Sequence, residues 1–600
     1  MEKSGFCNSF VKMIRKNGTF PERSYPVTEE IRKKPELLSP AGSPESLDAA
    51  LAGGADAVYL GGTQFNARMN AKNFDRDAMV EAVKKCHDAG VRLYVTMNTQ
   101  LFDRELAGAL SYASFLYGAG VDALITADLG LASLLHEQIP DFRLHASTQM
   151  TGQSADAAKF FASLGFDRMV CGREMSAEEI AALVKASPIG IEMFIHGAIC
   201  VSCSGQCMLS AVMGGRSGNR GECAQPCRLS YNGTYPLSLK DMCLASHIPE
   251  ILASGVESLK IEGRMKHPSY VYGVTRVYRR LIDEGRAAEK ADIDELARLF
   301  SRGGFTDGYY TGKIGKEMLG VRSEKDIGDS RASHLQIPDK PADRLPKIEI
   351  GERNAPETPA KITFTGKKQC GKPTFTARFR APSQIPETNV FSRIYLPVDK
   401  FDPKANGVFL PPVIREAGLP WVRRRLFEAK EKGAQYLLVT NMGQLSLAKE
   451  SGLIPYGDTR LNCFNSRTAA ELVSAGDLRG ILLSPELILP QIRDMVLPEG
   501  VTKGVIAYGR IPLMLLEKPV DAPLLRDRTG AVFPVIKEGK RDLLVNSVPT
   551  YMADQLKKLD EVGIAERHFF FTTEDRAAVL RAVYAYQHGV IPKDPIRRMK

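Results

Sequence analysis

Short apolar runs alternate with longer helical patterns from Glu36 to about Gly285, and no other feature narrows the choice of fold so far. The runs are ELLSP (from Glu36), AVYLGG (Ala57), RLYVTMN (Arg92), ALITAD (Ala123), RLHAST (Arg143), RMVCG (Arg168), IEMFIHG (Ile191) and SLKIEG (Ser258). Segments such as SPESLDAALAGG and SAEEIAALVKAS lie between them, each opening on a Ser suited to cap a helix and carrying apolar residues at helical spacing. Eight βα units in roughly 250 residues have the count and size of a (β/α)8 barrel. An open doubly wound sheet is the competing arrangement, but no GxGxxG follows the first run. The expectation is an α/β chain with a TIM-like barrel in its N-terminal half.

The chain has 600 residues, too many for one ordinary core, since single cores stop growing near roughly 250–300 residues. Residues 1–34 read as a tail and 35–285 as the barrel. Residues 286–388, with the strand-like pieces KITFTG and TFTARF, read as a linker and small β-rich subdomain. Residues 389–600 read as a degenerate barrel-like repeat. ALITADLGLASLL from Ala123 matches YLLVTNMGQLSLA from Tyr436, and IEMFIHGAI ending at Ile199 matches KGVIAYGRI ending at Ile511. RLHASTQMTGQSADAAKFFASLG from Arg143 is paired with RLNCFNSRTAAELVSAG from Arg460, and NGTYPLSLKDM from Asn232 with TGAVFPV and RDLLVNSV.

The composition, 44% hydrophobic and 25% charged, excludes a mostly disordered or collagen-like chain. No run reaches the roughly 18 apolar residues that a membrane helix needs, and the basic N-terminus lacks a signal-peptide core, so a cytoplasmic location is expected. Lys plus Arg (80) exceed Asp plus Glu (70), which permits a polyanionic partner such as RNA without requiring one. The basic helix WVRRRLFEAKEKG, from Trp421, favours an RNA partner, and a solvated helix face explains the run nearly as well.

Six of the eleven cysteines (Cys200, Cys203, Cys207, Cys223, Cys227 and Cys243) crowd into one stretch after the seventh run, at the barrel's expected C-terminal mouth. The second copy has no cysteines in the corresponding stretch and is shorter there, so the loop is not needed to close the fold. Cys200, Cys207, Cys223 and Cys227 can supply four thiolates; an iron–sulfur cluster, structural zinc and unliganded reduced thiols are all compatible with the spacing. Cys203 and Cys243 are spare. Strand alternation places Glu192 and His196 on one face of the seventh run and Lys260 and Glu262 on one face of the eighth. These four are candidate acid/base or clamping groups, against the alternative of a structural Lys–carboxylate pair. Arg220, Arg228 and Arg264 can meet an anionic substrate or water.

The blocks EMFIHGAICVSCSGQC, RSGNRGECAQPCRLSY, LSLKDM and SLKIEGRMKHPSY resemble the signatures of the collagenase-like peptidases, family 32 of the unknown-mechanism class. The opening ELLSPAGSPESLDAALAGGADAVYLGG is similar to that family's N-terminus, and the long architecture resembles its larger bacterial members. Relatives include hydroxylation proteins for tRNA and ribosomal RNA and partners in ubiquinone hydroxylation. The resemblance implies a 4Fe–4S cluster on Cys200, Cys207, Cys223 and Cys227, with zinc as the alternative. It implies hydroxylation of a cytidine in ribosomal RNA, with prephenate as a small anionic co-substrate. In that reading Glu192 and His196 handle protons, while Lys260, Glu262 and Arg264 position the anion, with Arg220 as a further substrate contact. The electron donor is not implied. Proteolysis is the competing activity, with His196 and Cys200 or Cys203 as the available base and nucleophile; a non-catalytic RNA-binding scaffold is the third reading.

Overall fold

The computed structural model describes residues 34–69, 71–367 and 372–599. The expected tail lies, up to residue 33, outside the described residues. Eight parallel strands close the first barrel: β1 (Glu36–Pro40), β2 (Ala57–Gly61), β3 (Arg92–Met97), β4 (Ala123–Thr126), β5 (Arg143–Ala146), β6 (Phe166–Val170), β7 (Gly190–Gly197) and, after two insertion strands, β10 (Ser258–Ile261), which pairs with both β7 and β1. The insertion strands are β8 (Ser202–Cys207) and β9 (Asp241–Cys243). Strands such as AVYLG are buried throughout because helices cover one face and the barrel interior the other. Ser43 and Ser176 cap the helices Pro44–Ala52 and Ala177–Ala186, the second through a capping box with Glu179. Each such cap is worth about 1 kcal/mol.

The C-terminal half is a second closed barrel. After β11 (Phe305–Thr306), its strands are β12 (Thr374–Arg378), β13 (Phe391–Pro397), β14 (Gly407–Phe409), β15 (Tyr436–Val439), β16 (Ile454–Gly457), β17 (Gly480–Leu482), β18 (Thr502–Gly509) and β24 (Glu566–Phe570), parallel throughout. Its insertion carries β19 (Pro512–Leu516), β20 (Leu524–Arg526), β21 (Val532–Glu538), β22 (Arg541–Val545) and β23 (Thr550–Tyr551).

Two details differ from the sequence reading. TFTARF forms β12, the first strand of the second barrel, so that barrel begins inside the segment read as a β-rich middle. Upstream of it the chain is largely irregular and straps across the first barrel's helices, through bonds such as Ala342 N to Leu51 O (3.1 Å) and Ile348 N to His87 O (2.9 Å). Among the described residues KITFTG forms no strand, and Lys367 just beyond it makes one isolated antiparallel bridge to Leu497. The repeat alignment also shifts by six residues in one block. Arg143 opens β5, whereas Arg460 lies in the 3-10 turn after β16, at the position of Gln149; the equivalent helices are capped by Ser154 and Asn465.

The barrels meet about a pseudo-two-fold axis. The helix Leu129–Gln138 packs on Ser466–Gly476, and Ala155–Ser163 packs on the turn Met442–Gln444. Close approach demands glycine at two matching positions. A Cβ on Gly130 would stand 2.4 Å from Asn465 Oδ1, and one on Gly443 would stand 2.5 Å from Ser154 Oγ. Both oxygens cap helices and cannot simply swing aside. Gly130→Ala is therefore expected to cost about 1–3 kcal/mol by overpacking. Thermal unfolding checks this; an unchanged midpoint would show that the junction yields.

Candidate functional site

The first barrel's interior is polar at its centre. Arg168 on β6 reaches Glu36 (2.8 Å) and Glu192 (3.4 Å), and Lys260 Nζ reaches Glu192 Oε1 at 2.8 Å above the Tyr59 ring. Glu192 has no exposed surface and Lys260 is 4% exposed. These two expected catalytic residues form the buried Lys–carboxylate pair that the sequence also allowed, with Glu192 opposite Ser258 and Lys260 opposite Phe194 in the register. Lys260→Met would leave Glu192 short of a cation in a dry interior. The expected loss is about 3–5 kcal/mol, read by denaturant unfolding, and a near-silent variant would point back to a catalytic Lys260.

His196 also departs from the simple alternation. Lys260 pairs with Phe194, but Ile261 pairs with His196, so Ile195 bulges and the strand turns His196 outward. There it packs against Tyr278 and Phe305, with Nδ1 3.3 Å from the Tyr278 hydroxyl, and burial lowers its pKa to about 3. The same bulge recurs in β18, where Tyr508 occupies the equivalent place. His196 therefore cannot reach the mouth, and the expected base–nucleophile pair with Cys200 or Cys203 is not assembled. Cys200 is exposed on the loop, while Cys203 is buried with the apolar residues of the second barrel's insertion. His196→Gln is expected to leave any activity at the mouth within about threefold while costing about 1–2 kcal/mol of stability; a collapse of activity with stability intact would restore a chemical role.

At the mouth, the structure brings Glu262 and Arg264 together with two arginines that the sequence reading did not single out. Arg173 Nη2 lies 2.9 Å from Glu262 Oε2, and Arg68 Nη2 lies 3.5 Å from Glu262 Oε1. Arg264 donates to Thr96 Oγ1 (2.7 Å) and Asn66 Oδ1 (3.4 Å). Burial alone would push the Glu262 carboxyl up, but Arg68, Arg173 and Arg264 outweigh it and hold the pKa at about 2. Burial lowers Arg264 to about 10 and Lys266, at the rim, to about 7. Three guanidinium groups surround one carboxylate, so this cluster carries a net positive charge suited to a small anion. Arg68 and Arg173 each follow a barrel strand at its C-terminal end, the position that could have marked them. Because the Glu262 pKa is depressed, its ion pairs contribute fully above the ordinary value of 4.5 and are lost as pH falls toward 2. Glu262→Gln should flatten the acid-unfolding curve over that interval; an unaltered curve would remove the pairs from the stability account.

Arg220, expected to contact substrate, is committed elsewhere. It makes two bonds to Glu105, both 2.8 Å, lies over Phe102 and donates to Gln100 O. It pins the cysteine loop to the barrel. Arg228 likewise bonds Ser238 Oγ and Ile199 O. In the helix Leu419–Glu431, Arg423 pairs with Glu450 at 3.0 Å and Arg425 with Glu428 at 2.7 Å, which blunts the basic run.

The four candidate ligands converge in the same region. Cys200 and Cys223 are exposed and Cys207 and Cys227 half-buried, and all are free thiols. Burial, and then the neighbouring thiols' charges among other contributions, push Cys207 well up and Cys227 to about 12. Among the described residues no group of three or more His, Cys, Asp or Glu side chains is gathered tightly enough to grip a metal ion. The donor set is nonetheless all sulfur, which suits iron–sulfur or zinc chemistry. Cys243 sits outside it, 3.6 Å from the Tyr278 hydroxyl beside His196.

Residues 42–320 match the model of peptidase family U32. The chain is 43% identical over 259 residues to the 23S rRNA 5-hydroxycytidine C2501 synthase of Escherichia coli, covering 41% of this chain and 39% of that protein. It is 36% identical over 324 residues to tRNA hydroxylation protein P1 of Bacillus subtilis, covering 50% of this chain and 76% of the relative. It is 34% identical over 309 residues to a collagenase of Porphyromonas gingivalis, covering 46% and 74%. The chain thus spans about two fifths of the ribosomal RNA relative's length and about three quarters of the other two. A solved U32 peptidase structure aligns with TM-score 0.28 and 16% identity over 40% of this chain and 98% of that one.

Proposed function

The chain belongs to peptidase family U32, and we propose that within it this protein hydroxylates a base in structured RNA, a cytidine of ribosomal RNA. The observation that carries this reading is a cationic side-chain cluster beside a four-thiol loop at one barrel mouth, in a chain whose relatives include named RNA hydroxylation proteins. Arg68 links the two parts: it pairs with Glu262 and also feels the charge of Cys200 and Cys223.

In this proposal Cys200, Cys207, Cys223 and Cys227 hold a 4Fe–4S cluster, which supplies one-electron transfer when bound. Arg173 and Arg264, oriented by Glu262, Thr96 and Asn66, clamp a small anionic co-substrate of the prephenate kind. Burial of these groups keeps water from weakening the clamp. Proton handling falls to groups at the mouth, and not to Glu192 or His196. Among the described residues no helix is long and apolar enough to cross a membrane.

Ribosomal and transfer RNA from a deletion strain, compared by mass spectrometry with wild type, should lack one added oxygen on a pyrimidine, and Arg264→Ala should reproduce that loss. Unchanged RNA would remove the reading. Anaerobically purified protein should be brown and lose its colour when Cys223 and Cys227 become Ala; a colourless protein with bound zinc would replace the cluster with zinc.

A further inference from the structure

The cysteine loop is anchored on the second barrel as well as on the barrel whose mouth it serves. Its first limb, from Cys200 to Cys207, contains β8, which among the described residues pairs with β19 alone in its sheet. Cys207 stands opposite Met514 and Ser202 opposite Leu516, and Met208 N continues the ladder to Leu513 O at 2.7 Å. Cys203, on the same limb, is 1% exposed and packs in the apolar cluster that includes Ile506, Leu515, Leu543 and Phe570. That burial explains the spare cysteine: it is a small hydrophobic anchor, not a ligand. At Gly205 the limb bends with φ +78°, and the carbonyl there accepts from Asn462 Nδ2 at 3.0 Å.

The second limb, carrying Cys223 and Cys227, is tied separately. Asn219 Nδ2 donates to Glu486 Oε2 at 2.6 Å, and Glu486 is a half-buried carboxylate from the loop after β17. Asn219 O accepts from Gln100 N, and Arg220 grips Glu105, so this limb is held by both barrels at adjacent residues. Without the second barrel, β8 would present an unpaired edge, and its limb would keep only its bonds to the first barrel, among them those from Ser204 to Glu174 and from Thr151 to Ser204 O.

We propose that the second barrel is the template that sets the spacing of the four thiols, with Asn462 and Glu486 as positioning residues for the two limbs. This rests on the reading of Cys200, Cys207, Cys223 and Cys227 as one ligand set. Neither positioning residue touches a ligand; each acts through the backbone or through Asn219. Because they hold different limbs, their loss should free different cysteines.

The test uses full-length protein with Asn462→Gly, which suits the left-handed backbone there (φ 50°), Glu486→Ala and Glu486→Gln. Iodoacetamide labelling of metal-free protein, resolved cysteine by cysteine by mass spectrometry, is one readout. Iron retained after anaerobic incubation with ferrous iron and sulfide is the other. Asn462→Gly should label Cys207 about tenfold faster than wild type, the scale set by one lost buried hydrogen bond. Glu486→Ala should do the same for Cys227 and lose most of the retained iron, whereas Glu486→Gln keeps an acceptor for Asn219 and should match wild type. Wild-type labelling rates and iron content in both Asn462→Gly and Glu486→Ala would overturn the proposal. Should Glu486→Ala fail to fold, wild-type behaviour of Asn462→Gly alone would overturn it. Wild-type protein that retains no iron would instead overturn the cluster reading, while the labelling rates still decide the positioning claim.

Discussion

The pairing of β8 with β19 is the interaction on which the rest of the molecule turns. It joins strands from the two insertions into one five-stranded sheet, order β20-β21-β22-β19-β8, and fixes the cysteine loop against a rigid edge. A long Gly-rich loop has high conformational entropy and would otherwise place four thiols over a wide range of separations. Antiparallel pairing removes that freedom with backbone bonds, which do not depend on side-chain identity. The second barrel can therefore diverge in sequence and still hold the loop.

Much of this was legible in the chain. The eight strand runs, the helix caps at Ser43 and Ser176, and the duplication all follow from local periodicity and capping chemistry, which a sequence displays directly. Features that depend on partners distant in sequence were not. The bulge at Ile195 reverses the face of His196, and no alternation rule foresees a bulge. Glu192 and Lys260 share an inward face with pocket residues, so periodicity could not separate buried pairing from exposure at the mouth. Arg220 looked free because Glu105 lies far away in sequence. Alternation in the eighth run marks Glu262, and a rule that takes charged residues just after each strand would add Arg173 and Arg68.

The two mouths have diverged by different physical routes. In the first, Glu262 is outnumbered by arginines and the pocket keeps a positive excess. In the second, Arg378 is matched by Asp458 (3.3 Å) and Glu538 (2.7 Å), with its guanidinium stacked over Phe409. Glu538 comes from β21 of the insertion, so the second mouth is filled by its own hairpin. The same insertion point thus yields a cysteine-bearing loop in one barrel and a plug in the other.

The pseudo-two-fold junction has an evolutionary reading. In a symmetric dimer of identical barrels, every substitution appears in both copies, so a change that improves one mouth alters the other and the shared contact at once. Joining the barrels in one chain releases that coupling. The glycines at 130 and 443 keep the contact close, while the residues around the mouths are free to specialise. One half can then lose its cysteines and take up a supporting part without weakening its partner, an asymmetry that no homodimer could inherit.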